Sequence, residues 1–331
     1  MRGLTRQERK LVVAARHGRR LECGGTEVVR ADVIRDLLLG RYGTVDPRGV
    51  RLRGGLIEGQ LDLEGVLSTA GLNLTDCRLT RPVVARDARF PWFELEGCHV
   101  PALLADRLTV TGGLFLRYGF TAVSLEQRTV RLPGARIGGN VECDGAMLTS
   151  AHGPALHAED IRIERNLFLR NGFSVISDSS LAAVMLGGAS VGGGLDLSGS
   201  KLCNTSGPAL SAHGLHVAGQ LKIGSGTSFR GRSSSVTVDL SGSRLGGLSW
   251  RGSSAENSDP SGAKVSLEHV SAGWVEVEET FLCGDNAERD CGAGELLISG
   301  LSYRSLAAEG ADWQRWLHWI RSHTRAYTAH S

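Results

Sequence analysis

Short runs of alternating apolar and polar residues, closed by glycines, recur along most of the chain. In residues 188–199, Leu195 and Leu197 alternate with Asp196 and Ser198. Side chains alternate across a β-strand, so the two leucines are predicted to point inward, and Asp196 and Ser198 outward. The pattern indicates short strands separated by tight turns.

A glycine-containing motif recurs at a fixed interval. Gly134, Gly188 and Gly242 each begin one copy, and the steps are 188 − 134 = 54 and 242 − 188 = 54. Apolar residues ahead of the turns divide this repeat into coils of 26 to 28 residues, marked by Val110, Ile137, Ile163, Val191, Val217 and Leu245, with earlier marks at Ile57 and near Val84. We predict an all-β fold, a right-handed parallel β-helix solenoid of about nine or ten coils.

Helical patterns precede the predicted solenoid. Thr5 and Glu8 form a capping-box pattern, and a second apolar stripe runs from about residue 30 to 39. The end of a solenoid exposes unpaired strand edges, which favours a covering element. We therefore predict an N-terminal helical cap over residues 1–47 and a solenoid over residues 48–305.

The last segment, residues 306–331, has the periodicity of an amphipathic helix that is rich in tryptophan and arginine. One interpretation is a cap on the final coil. The other is a helix that meets a membrane surface or a partner helix. The candidate interaction residues are Trp313, Arg315, Trp316, Trp319 and Arg321.

Composition narrows the possible functions. The chain has 45 glycines in 331 residues, only 5% aromatic residues and a formal net charge of +2. This charge argues against nucleic acid as a partner and against a DNA mimic. The charged N-terminus predicts no signal peptide and a cytoplasmic location, and no apolar run reaches the roughly 18 residues of a membrane span.

The cysteines and histidines do not have the spacing of metal ligands. Cys143 takes the place of Leu197 one repeat later, which predicts a core position. Cys283 and Cys291 flank a loop, where a disulfide or a metal site are the open alternatives. His157 and His213 come from matching strands, but His157 aligns with Ser211. We predict neither a metal site nor a cofactor.

A β-helix that cleaves polysaccharides needs clustered carboxylates on one outer face. Glu142 and Asp196 are predicted to lie two coils apart with Phe168 between them, too far for a tight pair. The polar stretches 230–235 and 251–262 break the repeat and are predicted to be loops, with a groove beside the second. The candidate acids are Asp62, Glu142, Asp144, Asp196 and Asp239.

Three motifs and the Trp-rich helix carry a resemblance to a known family. With residues 47–54, 134–139 and 167–173, the chain resembles bacterial β-helical, pentapeptide-like repeat proteins that are often catalogued as membrane-associated oxidoreductases. The resemblance implies a solenoid and a chain that continues beyond residue 331 into hydrophobic segments. No dinucleotide motif or cysteine pair supports the oxidoreductase label. The five-residue period of true pentapeptide repeats is missing, so their gyrase-binding role does not transfer.

These observations predict a non-enzymatic scaffold or interaction module. It would bind protein partners or associate with itself, as the soluble, cytoplasmic part of a membrane-associated protein. The alternative is a carbohydrate-active β-helix enzyme, a lyase or a hydrolase.

Overall fold

Alternating apolar residues wind the chain into successive coils. The structure, a computed structural model, describes residues 3–124, 129–278 and 296–309. In this part of the chain two helices, α1 (Arg6–Arg16) and α2 (Ala31–Leu38), accompany three parallel sheets, here named A, B and C. The chain visits the sheets in that order in each coil, which makes the molecule a β-solenoid.

Strands are numbered in chain order, and every strand pair is parallel. Sheet A contains β1 (Arg20–Glu22), β3 (Val50–Arg53), β6 (Leu72–Thr75), β9 (Arg89–Phe90), β10 (Phe93–Glu96), β13 (Thr109–Val110), β14 (Leu114–Phe115), β17 (Arg136–Ile137), β18 (Val141–Glu142), β21 (Arg162–Ile163), β22 (Leu167–Phe168), β25 (Ser190–Val191), β26 (Leu195–Asp196), β29 (His216–Ile223), β32 (Arg244–Trp250), β35 (Ser271–Glu278) and β37 (Ser302–Glu309). Sheet B contains β2 (Val28–Arg30), β4 (Leu56–Glu58), β7 (Arg78–Leu79), β11 (His99–Val100), β15 (Thr121–Ser124), β19 (Met147–Ser150), β23 (Ser174–Ser177), β27 (Lys201–Asn204), β30 (Ser228–Gly231) and β33 (Ser254–Asn257). Sheet C contains β5 (Leu61–Asp62), β8 (Val83–Val84), β12 (Leu103–Leu104), β16 (Val130–Arg131), β20 (Leu156–His157), β24 (Val184–Met185), β28 (Leu210–Ser211), β31 (Val236–Asp239), β34 (Ala263–Ser266) and β36 (Leu296–Leu297).

Stacked aliphatic side chains fill the interior. Val141 pairs with Leu167, which pairs with Leu195, and all three are buried. Leu197 is buried as well, whereas Asp196 is only partly buried, so the predicted inward and outward faces are confirmed. Sheets B and C each contain ten described strands, which confirms a parallel β-solenoid of about ten coils.

The coils are not equally long. In sheet A, Leu72 pairs with Phe93 and Phe93 with Leu114, steps of 21 residues. Leu114 then pairs with Val141, a step of 27. From His99 in β11 to β12 the chain advances four residues, but nine between the matching positions of β15 and β16, so most of the difference lies at the corner between sheets B and C.

Unequal coils explain an error in the predicted register. The marks from Val110 onward lie in one ladder of sheet A, as predicted. Ile57, however, pairs with Val29 and Leu79 in sheet B. Val84 belongs to sheet C. Stepping back by 27 residues through coils of 21 shifts the mark from one sheet to another.

The sheets also begin before residue 48. Strands β1 and β2 pair with β3 and β4, so residues 20–30 already form the edges of sheets A and B. Helix α1 packs on β1 and β3, and helix α2 packs on β5. At the other end, residues 302–309 form a strand, and the helix predicted after them, with the possible Cys283–Cys291 pair, lies outside the described residues. Neither described helix is long and apolar enough to cross a membrane.

The glycines of the repeat serve two different purposes. Gly188 and Gly199 have φ values of +64° and +72°, a conformation that favours glycine. Gly192 has no positive φ; a Cβ there would meet the carbonyl oxygen of Glu164 in the preceding coil. Backbone turning, the predicted explanation for residues 192–194, is therefore wrong, and close approach between coils replaces it.

Buried asparagines hold the corners between sheets B and C. The Asn204 amide donates to the carbonyl oxygens of Leu181 and Pro208, both at 2.8 Å. Its oxygen accepts from the backbone N–H groups of Ser179 and Ser206, at 3.2 and 3.3 Å. Two donors and two acceptors of the corner backbone are thus satisfied by one side chain. Asn257 makes the matching four hydrogen bonds two coils later.

A buried ion pair joins α1 to the first coil. The capping box is confirmed, because the Thr5 N–H donates to the Glu8 carboxylate at 2.7 Å and the Thr5 hydroxyl accepts from the Glu8 N–H. Arg30 also donates to Glu8, at 2.7 Å from Nε and 2.9 Å from Nη2. The hydrogen bond from Arg30 lowers the pKa of Glu8 to about 2, although burial opposes ionisation.

We expect this carboxylate to make stability pH-dependent. Because folding lowers its pKa from 4.5 to about 2, its contribution is present above pH 4.5 and is lost as the pH falls toward 2. Glu8→Gln should destabilise the protein by about 1 to 3 kcal/mol at neutral pH and flatten the acid limb of the stability curve. Urea unfolding across this pH range checks both effects. Glu22→Gln, at an exposed site, is the control; an equally steep acid limb in Glu8→Gln would contradict the assignment.

Candidate interaction surfaces

The predicted candidate acids lie on two different sheets. Glu142 pairs with Phe168, and Phe168 pairs with Asp196, which confirms the predicted order of these residues. Asp62 and Asp239 lie in sheet C. The structure therefore does not bring the five candidate acids together.

Arginines from intervening coils bridge the acids of sheet A. Arg117 donates to Glu96 at 2.7 Å and also to Glu142. Its guanidinium lies over the rings of Phe115 and Tyr118, 4.6 Å from each centroid. Each carboxylate thus faces a cation, and the cation rests on aromatic faces.

The same arrangement recurs two coils further on. Arg170 donates to Asp144 at 3.1 Å and to Asp196 at 3.3 Å, and its guanidinium lies 4.0 Å from the centroid of Phe168. Burial opposes ionisation of Asp196, but hydrogen bonds from Ser198, together with nearby cations, outweigh it and hold its pKa below the usual value. Asp196 is therefore an ionised partner in an ion-pair ladder, not a proton donor at neutral pH.

Glu94, which is absent from the predicted candidates, differs from these acids. Burial raises its pKa, and the amide of Asn73 donates to its carboxylate. Glu94 faces outward from β10, in the same ladder as Phe115. The alternation around Leu95 was the available sequence signal, but the register error in these coils concealed it.

A polar groove lies beside residues 251–262, where one was predicted. The stretches 230–235 and 251–262 are not loops throughout, since β30 and β33 pair as regular strands of sheet B. Arg230 pairs with Glu256 across them at 3.3 Å. The groove has a volume of about 570 Å³ and is lined in part by Cys203, Thr205, Arg230, Arg232, Glu256 and Lys264.

The histidines occupy the predicted positions on sheet C. His157 pairs with Met185, which pairs with Ser211. Nε2 of His157 lies 2.7 Å from the Glu159 carboxylate, and Nδ1 of His213 lies 3.3 Å from the Ser211 hydroxyl. Within the described ranges, no three His, Cys, Asp or Glu side chains are arranged to hold a metal ion.

Cys143 is a core residue, as predicted. It is buried, and its place in the interior matches that of Leu197 two coils later. Burial raises the pKa of its thiol to about 12, so the thiol is protonated at neutral pH. Cys143 therefore packs as a small apolar side chain.

Sheet B exposes apolar side chains on consecutive coils. Val123 pairs with Thr149, which pairs with Ile176, so these three residues form one outward ladder. Met147 lies beside them in β19. Val123, Met147 and Ile176 are 51%, 49% and 53% exposed. We call these four residues the sheet-B patch; sequence alone did not single it out, because a two-residue shift in register hides it.

The predicted candidate residues Trp313, Arg315, Trp316, Trp319 and Arg321 lie outside the described residues. Comparisons with protein-family models, with curated proteins and with solved structures found no match to this chain. The resemblance to the pentapeptide-like family stays a prediction.

Proposed function

We propose that this protein is a non-enzymatic interaction module whose sheet-B patch binds a second copy of the chain. The observation that carries the proposal is the exposure of Val123, Met147 and Ile176 on adjacent coils. Exposed, contiguous apolar surface is typical of protein–protein contact sites. The patch contains no charged side chain, so two identical patches meet without charge repulsion.

The chemistry of sheet A supports a scaffold more than an enzyme. Arg117 and Arg170 occupy the carboxylates that a carbohydrate-active enzyme would use, and Asp62 and Asp239 lie on another sheet. We further propose that α1 and α2 cap the first coil, because they lie on strands of that end. Association with a membrane through the segment after residue 309, in the cytoplasm, is part of the same proposal.

Light scattering across a concentration series tests the self-association. We expect the wild-type chain to form dimers or larger assemblies, and Val123→Lys with Ile176→Lys to shift it to monomers, because each lysine would be desolvated in the contact. Val13→Lys with Leu67→Lys, at other exposed apolar sites, is the matched control and should assemble normally. A wild-type chain that is monomeric at every concentration would exclude the proposed contact.

A further inference from the structure

A second surface of sheet A presents a line of basic side chains. The outward residue at the first strand position of each coil pairs with its counterparts in the coils before and after it. Coils stack about 4.8 Å apart, so the basic members span roughly 29 Å along the axis. This line, which we call the arginine row, contains Arg89, Arg136, Arg162, His216 and Arg244, with Thr109, Ser190, Ser271 and Ser302 at the intervening and following positions.

The arginine row is not neutralised within the described part of the chain. No carboxylate there forms an ion pair with Arg89, Arg136, Arg162 or Arg244, all of which are exposed. On the neighbouring strip of sheet A, by contrast, Arg117 bridges two carboxylates. One line of arginines is thus paired internally, and the parallel line is left open to solvent.

A cleft lies at the end of the row that is nearer the C-terminus. It has a volume of about 490 Å³, and the side chains along its floor are small or absent, as at Ala218, Gly246 and Gly273. His216, Arg244 and Arg304 line it together with the hydroxyl-bearing Ser271, and no carboxylate does. The floor lets an extended ligand approach the backbone while the guanidinium groups contact its charges.

Acidic groups near the row are few. Glu164 lies two residues after Arg162 and is exposed. Asp87 precedes Arg89 but is held by Arg107 through two hydrogen bonds of 2.7 and 2.6 Å. The strip therefore keeps a positive field, which is weakest beside Glu164.

We propose that the arginine row binds an acidic polysaccharide, laid along the solenoid axis with its carboxylates on the guanidinium groups. A single straight file of cations matches a linear polyanion better than the broad surface of a membrane. No Phe, Tyr or Trp lines the cleft to stack on nucleic acid bases, as single-strand binders require. This surface is separate from the sheet-B patch, so its ligand does not depend on self-association.

Binding of polygalacturonate, followed by calorimetry at low salt, tests the proposal. We expect Arg136→Gln, Arg162→Gln and Arg244→Gln together to weaken binding by about tenfold or more, because each loses a charge-assisted hydrogen bond. Arg78→Gln, Arg81→Gln and Lys201→Gln together remove the same charge at exposed sites on another face and should leave the affinity unchanged. Glu164→Gln should strengthen binding by roughly twofold, because it removes a repulsive charge.

Several outcomes would overturn the proposal. These are no binding of polygalacturonate, equal weakening by both triple variants, and equal binding of the methyl-esterified, uncharged polymer. Tighter row-dependent binding of a single-stranded oligonucleotide or of anionic vesicles would assign the row to another ligand class. Thermal melting of each variant checks folding, which these exposed side chains should not affect.

Discussion

Gly192→Val should lower the melting temperature by several degrees, corresponding to about 3 kcal/mol of stability. A Cβ at this position meets the backbone carbonyl oxygen of Glu164, and backbone in a stacked coil cannot move aside as a flexible side chain can. The larger valine adds two methyl groups to the same space. Differential scanning calorimetry of the purified variant measures the effect.

The control for this substitution is Gly25→Ala. Gly25 has no positive φ, and a Cβ there meets nothing within 4 Å, so alanine should leave the melting temperature unchanged or raise it slightly. A wild-type melting temperature in Gly192→Val would refute close coil contact at this glycine.

Asn204→Ala should destabilise the solenoid by about 3 to 4 kcal/mol. The substitution leaves two backbone N–H groups and two carbonyl oxygens without their partner at a corner where Asn204 is only 2% exposed. Ser177 holds the matching position one coil earlier and makes a single side-chain hydrogen bond, to the Gly153 carbonyl oxygen at 2.8 Å. Ser177→Ala should therefore cost only about 1 kcal/mol.

Chemical denaturation of both variants gives this comparison directly. The ratio matters more than either value, because the two sites share the same corner geometry and burial. Equal destabilisation by the two substitutions would show that lost packing, and not the unpaired backbone groups, controls the stability of the corner.

Sequence periodicity was sufficient for the fold and for the later coils. From Val110 onward the predicted register agrees with the structure, because each coil there repeats an apolar residue ahead of a glycine turn. The earlier coils lack that turn and are shorter, so the same spacing misplaced Ile57 and Val84. A different signal was present in the sequence: Leu52, Leu74 and Leu95 each stand between polar residues, 22 and 21 residues apart.

The surfaces were harder to predict than the core. Outward positions carry no periodic constraint, so the sheet-B patch can be recognised only once Val123 and Ile176 are known to share a ladder. The arginine row did leave a signal, since Arg136, Arg162 and Arg244 each directly precede a register mark. What sequence cannot supply is the pairing state, because the partners of Arg117 are 21 and 25 residues away from it.

The lengthened corners between sheets B and C affect how the chain tolerates insertions. The later coils carry about five additional residues at this corner, and yet sheets B and C continue through them in parallel register. Coil length is thus uncoupled from strand pairing at one edge of the solenoid. Foreign peptides grafted into residues 205–207 or 232–235 would be displayed along that edge at the coil repeat of roughly 5 Å, with the ladders as an invariant frame.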